Sequence, residues 1–162
     1  MSNDLHLHRV LKAPRSLVWR CWTEAEHIPH WFAPKPVVTR VVGLDLRPGG
    51  VFHVAMSMDG QDFPSAAGCF LEVVPEERLT WTSALGPDFR PVEAAGQPFL
   101  FTATLTFADH PEGTDYRVVA RHKDPASASA HEEMGFSQGW GTVADQLGAH
   151  AAGLAARTTE RA

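Results

Sequence analysis

Between residues 37 and 122 six stretches rich in β-branched, aromatic and alternating apolar residues follow one another, at 37–44, 51–58, 63–74, 78–84, 99–107 and 114–122. Most gaps between them hold only turn chemistry. Pro48-Gly49-Gly50, Asp59-Gly60, Pro75-Glu76-Glu77 and Asp109-His110-Pro111-Glu112-Gly113 are tight connections between neighbours, as an antiparallel meander requires. A seventh strand is predicted at 4–12, where Leu5, Leu7 and Leu11 alternate with His6, His8 and Lys12. The β pattern stops at Asp124-Pro125. From about 126 to 156 the sequence reads as one helix, with Phe136, Trp140, Val143, Leu147 and Leu154 in a narrow arc at 100° per residue. One long helix with a single apolar face, after a sheet, must bury that face on the sheet.

Two short helical pieces follow the first strand. Leu17, Val18, Cys21 and Trp22 sit at helical spacings, and Thr23 with Glu26 forms a Thr-x-x-Glu capping pattern for a second piece starting at Glu24. Pro29, Pro34 and Pro36 keep these pieces short. Three of the five tryptophans, Trp19, Trp22 and Trp31, lie here, so the region reads as an aromatic lid. The 85–98 connection is long and rich in Pro and Gly, with one aromatic, Phe89. It is predicted to flank a cavity mouth as a mobile gate.

Length and composition set limits on this picture. With 162 residues and 44% hydrophobic content the chain supports one domain, 1–156, followed by a polar tail, 157–162. Fourteen basic against nineteen acidic residues, a net charge of -5, argue against nucleic acid or an anionic membrane as partner. No apolar run reaches the roughly 18 residues of a membrane span, and the polar start lacks a signal-peptide pattern, so a cytoplasmic location is expected. Cys21 and Cys69 lie far apart and are expected to be free.

Nine histidines raise the question of metal. His131-Glu132-Glu133-Met134-Gly135 puts Gly where a second ligand would have to stand, Pro29 separates His27 from His30, and His6 and His8 share a strand face with no nearby Cys or carboxylate. No metal or cofactor is expected. His122 shares strand parity with Tyr116 and Val118 and is a candidate polar group in a cavity, but Lys123-Asp124-Pro125 follows directly, which favours a strand-end histidine facing water. His53 is expected to face out. Gly135, Gly139, Gly141, Gly148 and Gly153 each cost about 1 kcal/mol relative to Ala in a helix. Either the 135–141 segment leaves room for a ligand or a bend around Trp140, or the glycines permit close packing on the sheet.

Several of these segments, taken together, resemble one family. Ala13-Pro14 with Val18-Trp19 and Trp22-Thr23, Trp31-Phe32-Ala33-Pro34, Arg47-Pro48-Gly49-Gly50, Gly68 to Pro75 running into Arg78-Leu79-Thr80-Trp81-Thr82, and His131 to Phe136 with Gly139-Trp140 are similar to the START-like superfamily of polyketide cyclases and lipid-transfer proteins. Within it the chain resembles the homologues of the heat-shock-protein-90 ATPase activator. The resemblance implies an α+β helix-grip fold: a curved seven-stranded antiparallel sheet around a long C-terminal helix, two short helices after strand one, and a cavity between. Members include carriers, cyclases and hydrolases, so the fold does not choose an activity. The eukaryotic activator has an additional N-terminal chaperone-binding domain for which this chain has no residues left over, so chaperone activation is not the expectation.

The leading expectation is a binding protein for a small hydrophobic or amphipathic molecule, an unknown ligand held beneath the helix. Trp22, Trp31, Phe70, Trp81, Phe101 and Trp140 are the candidate walls, and Tyr116, His122 and Gln138 the candidate polar anchors. No catalytic residue is assigned. One alternative is a cyclase- or hydrolase-type enzyme using a cavity histidine, which a histidine pKa well away from about 6.5 in a cleft would favour. The other is a chaperone-associated or self-associating module, including a homodimer. The apolar arc also predicts that Phe136, Trp140, Val143 and Leu147 are buried, with Trp140→Ala costing about 3 to 5 kcal/mol.

Overall fold

The computed structural model describes residues 2–93 and 97–161. Seven main strands form one sheet: β1 (Asp4–Leu11), β2 (Val38–Leu44), β3 (Val51–Met58), β4 (Gly68–Val74), β5 (Arg78–Thr82), β6 (Thr102–His110) and β7 (Gly113–Arg121). Their spatial order is β1-β7-β6-β5-β4-β3-β2, and every pair is antiparallel. The tight turns join neighbours as predicted, while β1 closes on β7 across the whole chain. Register breaks at Val41/Gly43 and Phe70/Glu72 mark irregularities of the kind that bend strands, and the sheet curls into a half-barrel.

Two strands start later than their composition suggests. Pro64 stands early in the 63–74 stretch, and the β4 ladder begins only at Gly68, which lies so close to β5 that a Cβ there would be 2.7 Å from the Thr82 carbonyl. Residues 99–101 precede β6. The Phe101 amide donates to the Ser83 hydroxyl at 3.0 Å, and the Phe101 carbonyl accepts from the Ser83 amide.

Helix α1 (Arg15–Thr23) buries Val18, Cys21 and Trp22. The predicted capping box does not form. Thr23 stays in α1 and its hydroxyl donates to the Trp19 carbonyl at 2.9 Å, while Glu24 turns back to Arg20. With Pro29 close behind, the chain makes only a 3₁₀ turn, Ile28–His30.

The single long helix of the sequence reading is two helices. Asp124 caps α2 (Pro125–Glu133) by accepting the Ser127 amide at 2.8 Å, a bond that holds its carboxyl below the usual range. Gly135 then takes a left-handed conformation, φ +96°, and α3 (Phe136–Arg161) starts in a new direction. The bend expected around Trp140 is therefore five residues earlier, at the one residue type that adopts this φ without strain.

The core lies between the concave sheet face, α1 and α3. It includes Leu79, Leu105 and Val118 from the sheet, Trp22 and Trp31 from the lid, and Leu147 and Ala151 from α3. Cys21 and Cys69 are buried and free, and burial pushes the Cys21 thiol up to about 12. His53 is half-buried and meets Ser65 at 2.9 Å, and the exposed His8 does have a carboxylate partner: Asp115, on the adjacent strand, at 2.9 Å. No helix among the described residues is long and apolar enough to cross a membrane.

Candidate functional site

Three elements leave a gap where they meet. Trp22 on α1 and the Trp31-to-Pro34 segment form one side, Met56 and Trp81 from the sheet with Phe101 just before β6 form the floor, and Gly139, Trp140 and Val143 on α3 form the roof. They enclose about 280 Å³. The roof and the lid are tied by Gln146, whose amide nitrogen donates to the Trp31 and Ala33 carbonyls at 3.0 and 2.8 Å while its oxygen accepts the Lys35 amide at 3.1 Å. Three bonds from one side chain fix the lid segment on α3.

The roof explains why a helix tolerates glycine here. A Cβ at Gly139 would meet nothing within 4 Å, so any larger side chain would project into the gap. Gly148 serves the other purpose, since a Cβ there would sit 3.2 Å from the Leu11 side chain of β1. One glycine borders open space and another permits close packing, at different turns of one helix.

Beside it, sharing Met56, Phe101 and Trp140, lies a second, more open hollow of about 490 Å³, lined also by Phe99, Pro98, Phe136, His131 and the exposed Met134. A third hollow, about 680 Å³, lies behind Phe99 and Phe101. It is the largest of the three and is rimmed by the exposed Arg121 and Lys123.

The polar groups of these walls are few. Trp22 donates its indole N–H to the Tyr116 hydroxyl at 3.2 Å and Trp31 donates to the Cys21 carbonyl at 3.1 Å. Trp81, 7% exposed, has no acceptor for its N–H among the described residues. His122 and His131 are both buried, and His122 Nε2 meets His131 Nδ1 at 2.8 Å. Phe99, Phe101 and Phe136 surround His131 at centroid distances of 4.3, 4.7 and 5.0 Å. This apolar burial, aided by the charge that His122 can carry, pushes the His131 pKa down to about 4.

Of the residues expected to line the site, Trp22, Trp31, Trp81, Phe101 and Trp140 share the inner chamber. Phe70 is sealed one layer away, against Phe52 at 5.1 Å. Tyr116 lies fully in the core, where burial raises its pKa and its hydroxyl serves Trp22. Gln138 is exposed, two residues from Phe136 and so on the outer side of α3. His122 does not face water, as its neighbours suggested, but is 7% exposed behind His131 because the chain turns into α2 above it. Sequence reasoning passed over His131, Met56 and Val143 as site residues. For His131 the available signal was the cap Asp124, which fixes the phase of α2 and sets that histidine two turns along it.

Other expectations also change. Trp140 and Val143 are half-buried rather than buried, because they face the hollow. Phe89 covers no opening. It lies on the β2–β3 turn, where its ring would be 2.9 Å from a Cβ at Gly49. Only Gln97 and Pro98 from that connection reach the outer chamber, and residues 94–96 lie outside the described region. One group of side chains at the far end of α1, Glu24, Glu26 and His27, brings possible metal-ligand atoms within 4.8 Å of one another. Glu24 is already paired with Arg20 at 2.7 Å and Glu26 is 75% exposed.

A half-barrel sheet gripping a C-terminal helix over an apolar hollow defines a helix-grip domain. Residues 12–152 match the activator of Hsp90 ATPase homolog 1-like protein family, and the chain belongs to it. Among solved structures it is similar to a Nitrosomonas europaea protein, with 43% identity over 94% of this chain and 96% of that one and a TM-score of 0.84. It is also similar to a Chromobacterium violaceum protein, 30% identical over 92% and 96% of the two chains, TM-score 0.72. An activator-homologue-like protein of Aeromonas hydrophila shares the fold at 19% identity, covering 94% of each chain with a TM-score of 0.66. No curated protein matches significantly.

Proposed function

We propose that this protein binds a small, largely apolar molecule between the sheet and α3. The observation that carries the reading is the bare roof at Gly139: a helix position that costs stability opens onto space, and that space is walled by six aromatic residues.

Native mass spectrometry of protein purified from cells tests it. A co-purifying small molecule is expected on the wild type and absent from Gly139→Leu, whose side chain would fill the chamber, while Gly139→Leu melts within a few degrees of wild type. Equal occupancy of the two proteins would place the molecule elsewhere and defeat the proposal.

A second reading, an acid–base enzyme of cyclase or hydrolase type, is favoured by one observation: His131 sits in a cleft with its pKa far from 6.5. The direction of the shift weakens it. A histidine held at about 4 is a poor base near neutral pH, where general catalysis works best with a pKa close to the operating pH. A neutral histidine that keeps its lone pair is better suited to holding a ligand than to taking its proton.

A further inference from the structure

The hydrogen bonds around His131 decide which of its nitrogens carries the proton. The Asn3 backbone carbonyl accepts from the His122 amide at 3.0 Å and lies 2.9 Å from His122 Nδ1. A carbonyl can only accept, so His122 Nδ1 bears a hydrogen. In neutral imidazole the other nitrogen is then a bare acceptor, so His122 Nε2 must take its 2.8 Å bond from a hydrogen on His131 Nδ1. That leaves His131 Nε2 without a hydrogen. It has no partner among the described residues, and it is not among the sealed unpartnered atoms, which are His27 Nε2, Thr39 Oγ1 and Trp81 Nε1. His131 itself is part of the outer chamber's wall.

We infer that the carbonyl of Asn3, His122 and His131 form a relay that presents His131 Nε2 to the chamber as a fixed acceptor, and that the ligand is an apolar molecule bearing a neutral hydroxyl, an alcohol or phenol. This rests on the ligand-binding reading above and states what that ligand must carry. A carboxylate has no hydrogen to offer and would bring a second acceptor against the lone pair. An ammonium group would find no carboxylate among the chamber walls to pair with. A hydroxyl gives its hydrogen to His131 and leaves an apolar body to the rings. His131 is in ring contact with Phe101 at 4.7 Å, so a ligand whose hydroxyl meets the imidazole acceptor has its apolar body against that ring. Burial keeps His131 neutral near pH 7, which preserves this polarity.

The test uses two probes of nearly equal shape, 2-naphthol and 2-methylnaphthalene, titrated into wild-type protein and His131→Phe at pH 7 with tryptophan fluorescence as the readout. The preference for 2-naphthol is expected to fall about tenfold in His131→Phe, with 2-methylnaphthalene binding retained. If both proteins bind both probes with the same preference, the relay proposal is overturned and the cavity reading stands. If neither probe binds the wild type, the cavity reading is overturned with it. Nitrogen-15 NMR of the wild-type imidazoles needs no variant to fold: it should show the Nδ1–H tautomer at both His122 and His131. An Nε2–H tautomer at His131 would overturn the relay whatever the binding data show.

Discussion

From Ala144 onward α3 lies directly on its neighbours, with Ala144, Leu147 and Ala151 at 1% exposure or less and Gly148 against Leu11, whereas between Phe136 and Val143 the same helix spans a hollow. Apolar periodicity is continuous across both halves. What differs is size: small residues bring one half down onto β1, while the Trp140 ring stands on Trp81, nearly parallel at 6.3 Å, over the other. Periodicity therefore tells which face of a helix turns inward but not how far that face stands from its support.

The contrast can be broken by substitution, and the largest effect is expected in the packed half. Leu147→Ala should lose about 3 to 4 kcal/mol in urea unfolding, because its surroundings are full and cannot collapse. A loss below about 1 kcal/mol would mean that this half is as loose as the other.

Acid comes next and acts on both halves, through His131 beside the hollow and His150 on the packed turns. Burial is the larger cause in each and holds both near pKa 4; for His150 the neighbouring His30 and His27 add to it. Unfolded histidine titrates near 6.5, so between about pH 6.5 and 4 the unfolded chain binds more protons than the folded one. Stability is full above that window and falls as pH drops through it. His131, being buried, should contribute on the order of 2 to 3 kcal/mol of this loss. Unfolding midpoints at pH 7 and 4.5 check it, and a flat profile would show that neither imidazole is desolvated.

The smallest effect should come from the larger side chain. Trp140→Ala is expected to cost only about 1 to 2 kcal/mol, below the range its apolar arc suggests, because the indole already borders empty space. Should it cost more than Leu147→Ala, the two halves are equally packed.

The difference between legible and illegible features follows the same line. Strands were readable because alternation and turn residues are local, and the five aromatic walls because large rings on inward positions have few places to go. Gly135 was visible as a costly residue but not as a break, since a glycine in a helical pattern can pack, bend or end a helix and only its φ decides. Gln138 failed on an argument already available, as it stands about 200° around the helix from Phe136. His122 and His131 are nine residues apart on different elements, and their meeting depends on how the chain turns after β7, which Lys123-Asp124-Pro125 makes possible without fixing.

The close approach at Gly148 reaches further than its own turn. With Leu11 3.2 Å from where a Cβ would stand, this position acts as the fulcrum of a lever whose long arm runs about 13 Å along α3 to Gly139. The clearance above Trp81 and Phe101 is then set at a point that touches no part of the chamber. A methyl group added at the fulcrum would call for a few tenths of an ångström of movement, taken up by the Leu11 side chain or by the helix, and the second course would change the height of the hollow while every wall residue kept its identity.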